Sequence, residues 1–233
     1  MYKVNSRLHS LRFDILYRIR CLLRTKTKQK GAKSQTSCCK VASVNLYYTN
    51  KSDPMNKDLM TKPVTYTPQH IANYFLERAE DDGIPMSPLK LIKLVYIAYG
   101  WNIALTSKKL FDEDIEAWQH GPVIPSLYHE FKHFKSKSID EWAEHFDMDT
   151  GEACVPHVNA SDTETNLVLS KVWAAYSRFS AWALREKTHE DDGPWKKVYE
   201  PGVRGIEMLD DDISEHYTVK IREYLDAAKA AKA

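Results

Sequence analysis

Apolar residues recur at helical spacing through most of the chain beyond residue 65, and each run is bracketed by start and stop signals. Thr67-Pro68 supplies an N-cap with proline in the first helical position, and Ile71, Ala72, Phe75, Leu76 and Ala79 form one face before Gly83 ends the run. Ser87-Pro88 repeats the device. The helix it opens, Leu89 to about Thr106, carries Leu91, Leu94, Val95, Ala98, Trp101 and Leu105 on one side and Ile92, Tyr96, Tyr99 and Ile103 on another. Two apolar faces, interrupted only by Lys90 and Lys93, predict a central helix buried on most sides.

The pattern then changes period. Residues 111–119 alternate around Ile115 and Trp118, as a short strand or extended segment does, and His120-Gly-Pro-Val-Ile-Pro125 makes a stiff turn. A helix from Pro125 to about Lys135 turns Leu127, Phe131 and Phe134 inward. Ser138-Ile-Asp-Glu141 before Trp142 and Phe146, and Ser161-Asp-Thr-Glu164 before Leu167, Val168, Val172 and Trp173, read as capping boxes opening two more helices. Residues 180–188 form a further helical turn or two, 196–199 a short segment, and Asp212 caps a last helix striped by Ile213, Tyr217, Ile221, Tyr224 and Leu225. The expected fold class is mainly α: a compact single domain of about seven helices with one or two short β-strands, spanning residues 60–233 behind a basic N-terminal extension, residues 1–59.

Composition supports a packed, water-soluble domain, with 43% apolar and 28% charged residues and a mean hydropathy of −0.52. The net charge of +1 is a cancellation. Residues 1–59 hold 13 Lys and Arg against Asp14, Asp53 and Asp58, a net of +10, and the other 174 residues hold 20 basic and 29 acidic, a net of −9. Within the extension, residues 7–24 place Leu8, Leu11, Ile15, Ile19 and Leu22 at helical spacing among arginines, which suggests a short basic amphipathic helix. Asp14, Arg18 and Arg20 break the apolar stretch a secretory leader needs. Four readings stay open: a helix for an anionic membrane surface, an arm for nucleic acid, both through residues 1–54, a clamp for an acidic partner, and an upstream-start extension without evolved structure ahead of Met55 or Met60. Cys21, Cys38, Cys39 and Cys154 form neither a disulfide framework nor a zinc pattern, so a cytoplasmic location is expected.

The sharpest match to catalytic chemistry is His129-Glu130-Phe-Lys-His133. On a helix the two histidines would share a face as zinc ligands, Glu130 would activate a metal-bound water, and Glu152 could complete the set. Lys132 inside the motif and Lys135 after it are foreign to a buried metalloprotease helix. A surface helix is therefore the favoured reading, with neither metal nor cofactor and no enzymatic activity. No glycine-rich phosphate loop is present, and Cys154 with His157 reads as incidental.

Taken in order, Ser87-Pro-Leu-Lys-Leu-Ile-Lys-Leu-Val-Tyr-Ile-Ala-Tyr-Gly-Trp101, Leu110-Phe111, Glu116-Ala-Trp-Gln-His-Gly-Pro-Val-Ile-Pro-Ser-Leu-Tyr128 and Thr188-His-Glu-Asp-Asp-Gly-Pro-Trp195 resemble the Panacea antitoxin domain, a family that includes SocA- and GepA-like phage-associated proteins. The resemblance runs from about Thr65 to Leu225. It implies the antitoxin of a type II-like toxin–antitoxin pair, one that neutralises a toxin from an adjacent gene by direct binding. One branch of the family also delivers its toxin to an ATP-dependent protease. In that light Trp118, His120, Gly121, Pro122 and Tyr128, with His189, Pro194 and Trp195 from a second loop, are candidate partner-binding residues. Stiff aromatic turns anchor partners well, but large aromatics serve core packing first.

Overall fold

The computed structural model describes residues 66–147, 151–203 and 205–230. The amphipathic segment and the boundary placed at residues 59 and 60 lie outside the described residues. Seven α-helices are present among them: α1 (Pro68–Asp81), α2 (Pro88–Thr106), α3 (Pro125–Phe131), α4 (Thr163–Tyr176), α5 (Ala181–Thr188), α6 (Pro194–Val198) and α7 (Asp210–Ala230). Strands β1 (Glu116–Trp118) and β2 (Gly121–Val123) form one antiparallel hairpin, and β3 (His145–Asp147) and β4 (Glu152–Cys154) form another. The helix tally agrees with the sequence pattern, and four short strands stand where one or two were expected.

Helix α2 is the axis of the domain. Every residue in it except Leu89 and Thr106 is buried, which follows from its two apolar faces, and α7, α4, α5 and α1 pack around it. Burying each such large apolar side chain contributes about 1.5–3 kcal/mol against the unfolded chain. Directional bonds then fix the surrounding layer. Tyr99 Oη donates to Asp210 Oδ1 at 2.7 Å, anchoring the start of α7, and Trp173 Nε1 donates to Asp82 Oδ2 at 2.8 Å, tying α4 to the end of α1. Buried Asn73 uses both ends of its amide: Nδ2 donates to the carbonyls of Ala143 and Pro156, and Oδ1 accepts from the Ala143 N–H.

Asn73 bears on the clearest departure from the sequence reading. Residues 138–144 hold no helix, although they begin with a capping-box pattern. Ser138 Oγ accepts from the Met86 N–H, and the Ile139 N–H donates to the Met86 carbonyl, so the segment is stitched to the loop between α1 and α2. Asn73 clamps its far end. Tertiary hydrogen bonds thus take the groups that helix capping would have used. At α4 the N-cap is Asp162, accepting from the Thr165 N–H, one residue after the serine the pattern favoured, and α7 begins at Asp210, two residues before the expected cap. The helix after Pro125 ends at Phe131 and tightens into a 3₁₀ turn over Lys132–Phe134.

Candidate functional site

The β1–β2 hairpin lies where the two prolines and the glycine of the 120–125 turn place it. Trp118 pairs with Gly121 across a two-residue connection, and since neither Gln119 nor His120 has positive φ, Gly121 supplies it at +95°. Gly121 is also the point of closest approach to the helices beneath. A Cβ there would lie 2.6 Å from Lys93 Nζ, 2.8 Å from His189 Cε1 and 2.9 Å from Thr188 Oγ1.

Lys93 projects from α2 into this junction, where it is completely buried, and its Nζ donates to the Pro122 carbonyl at 2.8 Å. Burial, with the Arg185 guanidinium adding to it, pushes the ammonium well below the ordinary lysine range. His189 is held by a 2.7 Å hydrogen bond from Nδ1 to the Arg185 carbonyl, and burial lowers its affinity for a proton. Its ring lies 3.9 Å from that of Trp195, which in turn stacks on Tyr199 at 4.5 Å. The Trp195 indole donates to the Trp118 carbonyl at 2.8 Å, binding α6 to the hairpin.

The sequence candidates therefore meet in one place, in two layers. Gly121, Pro122, Pro194 and Trp195 are buried, and with half-buried His189 they form a supporting layer. Trp118, His120 and Tyr128 face outward around a groove of about 960 Å³ between the hairpin, α3 and the start of α2. Trp118 is half-buried, its indole N–H donating to Glu116 Oε2 at 2.6 Å and its ring meeting the Tyr128 ring edge-on at 4.8 Å. His120 is exposed and stands edge-on to Trp182, an aromatic that is itself 61% exposed. The core-wedge reading thus fits Trp195 and fits Trp118 only in part.

The same geometry takes the zinc motif apart. Because α3 ends at Phe131, His133 lies on the 3₁₀ turn, with Nε2 3.1 Å from Glu141 Oε1, while His129 Nδ1 lies 3.3 Å from Lys132 Nζ. Glu130 is committed elsewhere: Oε1 accepts the Glu144 N–H at 2.7 Å and Oε2 accepts from Gln69 Nε2 at 3.3 Å. Glu152 sits on β4, and among the described residues no three metal-ligating side chains converge. Cys154 closes β4, three residues before His157 in the chain.

Sequence reading passed over Lys93, Thr188, Tyr199, Lys132 and Lys135 as parts of the site. The first had a signal, since a lysine inside an apolar helix needs a polar destination. Thr188 heads the second motif and lies buried beneath Gly121, whereas Tyr199, Lys132 and Lys135 lacked a signal, because only the fold brings them to the groove.

A profile of the family described as "Antitoxin SocA-like, Panacea domain" matches residues 91–196, a span that holds all eight candidate residues. Antitoxin SocA of Caulobacter vibrioides (strain NA1000 / CB15N) is 30% identical over 167 residues, covering 66% of this chain and 87% of that protein. No solved structure matches the chain.

Proposed function

The chain belongs to the SocA-like, Panacea-domain family of antitoxins, and from that membership we propose that it neutralises a toxin encoded beside it by binding the toxin directly in the groove between the β1–β2 hairpin and α3. An antitoxin role follows from the family itself and makes the chain a binding protein rather than an enzyme. The observation that supports this surface is the gathering of two distant motifs into one supported groove, its wall carrying Trp118, His120 and Tyr128. Aromatic side chains on a rigid support are what binding hot spots are made of, because they bury large area at little cost in side-chain freedom.

Co-expression with the adjacent open reading frame tests both parts. Wild-type protein should restore growth, and a Trp118→Ala/Tyr128→Ala variant that keeps the wild-type circular dichroism spectrum should not. An adjacent gene that is harmless alone, or that stays lethal beside the wild type, overturns the toxin-neutralising reading. Full protection by the double variant overturns only the groove. Delivery of the captured toxin to an ATP-dependent protease would show as a toxin lifetime that lengthens when the protease is deleted.

A further inference from the structure

The groove has a charge opposite to that of the domain around it. Residues 60–233 carry a net of −9, yet no aspartate or glutamate is among the described residues that line the groove, while Lys132, Lys135, His120 and His129 do. Lys93 joins that lining from below, and its Nζ has a backbone carbonyl as its partner rather than a carboxylate. Of the neighbouring acids outside that lining, two are engaged by other groups. Glu116 accepts the Trp118 indole N–H, and Glu130 is held between Gln69 and the Glu144 backbone. Apolar lining comes from Trp118, Tyr128 and Val203.

We propose that the groove takes an acidic peptide segment of the toxin, one that sets aspartate or glutamate side chains against Lys132 and Lys135 and a large apolar side chain against Trp118 and Tyr128. This deepens the antitoxin reading and rests on it. A protein segment fits better than a nucleic acid for a reason of range. A polyanion is repelled by the whole −9 surface, whereas a short acidic stretch on an otherwise neutral or basic protein meets repulsion over a few residues and attraction everywhere else. The groove, at about 960 Å³, also suits a few side chains rather than an extended strand of nucleotides.

The test uses the full chain and overlapping 15-residue peptides tiling the product of the adjacent gene, with affinity read by fluorescence anisotropy. The tightest-binding peptides should be net acidic with at least one large apolar residue. Lys132→Glu/Lys135→Glu should weaken them by at least roughly tenfold, and Lys132→Arg/Lys135→Arg should retain them. Lys108→Glu, just beyond the end of α2 opposite to the one that lines the groove, serves as the charge control. In co-expression, loss of protection by the reversed pair and its return when the toxin's acidic residues are changed to lysine would establish the contact. Tightest binding to basic peptides, unchanged affinity in the reversed pair, or a single-stranded oligonucleotide that binds more tightly than any peptide and loses that affinity in the reversed pair would overturn it. A wild type that fails to protect cells would instead refute the underlying antitoxin reading, so the two failures are distinct.

Discussion

Gly121→Ala examines the junction under the groove most directly, because its cost has two parts that a second variant separates. An alanine at φ +95° sits in the left-handed region, which costs an L-residue about 1–2 kcal/mol. Its Cβ would also be driven into Lys93 Nζ, His189 and Thr188 at 2.6–2.9 Å. The lysine end cannot swing aside, since it is wholly enclosed and bonded to the Pro122 carbonyl, so overpacking adds about 1–3 kcal/mol. Gly83, just past the end of α1, has φ +64° and nothing within 4 Å of its would-be Cβ. Gly83→Ala therefore carries the backbone term alone. For a domain of this size, at about 2–4 °C per kcal/mol, thermal melts should fall by about 4 °C in Gly83→Ala and about 10 °C in Gly121→Ala. Gly121→Ala should in addition lose protection against the toxin, because the hairpin that carries Trp118 and His120 must lift. Equal losses in the two variants would show that the hairpin does not press on Lys93, and the two-layer description of the site would fall.

Three further outcomes follow from the packing and the buried groups. In α2, Gly100→Ala gains about 0.8–1 kcal/mol in helix propensity but sets a methyl group on the buried Tyr217 ring of α7, so it should destabilise the domain by about 2 kcal/mol in urea titration; a stabilised variant would contradict the α2–α7 contact. His70, whose Nδ1 accepts the Thr67 N–H, is lowered from 6.5 to about 4, mainly by burial and further by His145 and His157. The unfolded ring binds a proton near pH 6.5 and the folded ring only near 4, so this contribution is intact above about pH 6.5 and is lost as pH falls towards 4. Part-exposure reduces the ~3.4 kcal/mol of the full shift to about 2 kcal/mol, and His70→Asn should flatten the difference between pH 7 and pH 5. Glu130→Ala should melt a few degrees lower through the loss of its bonds to Gln69 and Glu144 yet protect cells fully, and the purified wild type should hold sub-stoichiometric zinc; stoichiometric zinc together with loss of protection in the variant would revive the hydrolase reading.

The elements whose pattern is local were legible in advance, and those whose hydrogen-bonding groups have distant claimants were not. Helices α1 and α2 start where Thr67 and Ser87 place them, because an N-cap followed by a periodic apolar run needs only its own neighbours. The same kind of signal failed at Ser138. Its hydroxyl is taken by the Met86 N–H, fifty-two residues earlier in the chain, and no window of sequence contains both. Likewise α3 closes before His133 and separates the two histidines that a continuous helix would have aligned.

For the candidate site, the sequence by itself supplied two stiff, aromatic-bearing turns about seventy residues apart, and showed Lys93 only as a charge inside an apolar helix. Only the tertiary structure decided that these form one object. Trp195 reaches the Trp118 carbonyl, Lys93 reaches the carbonyl of Pro122, and Gly121 alone allows the hairpin so close. It also divided the residues into a buried support and an exposed wall, and gathered Lys132 and Lys135 beside Trp118. The physical reason is the range of each force. Capping and periodicity act within a few residues and leave their mark in sequence order, whereas burial, charge balance in a groove and the competition for a hydrogen-bond donor are settled between segments that meet only once the chain has folded.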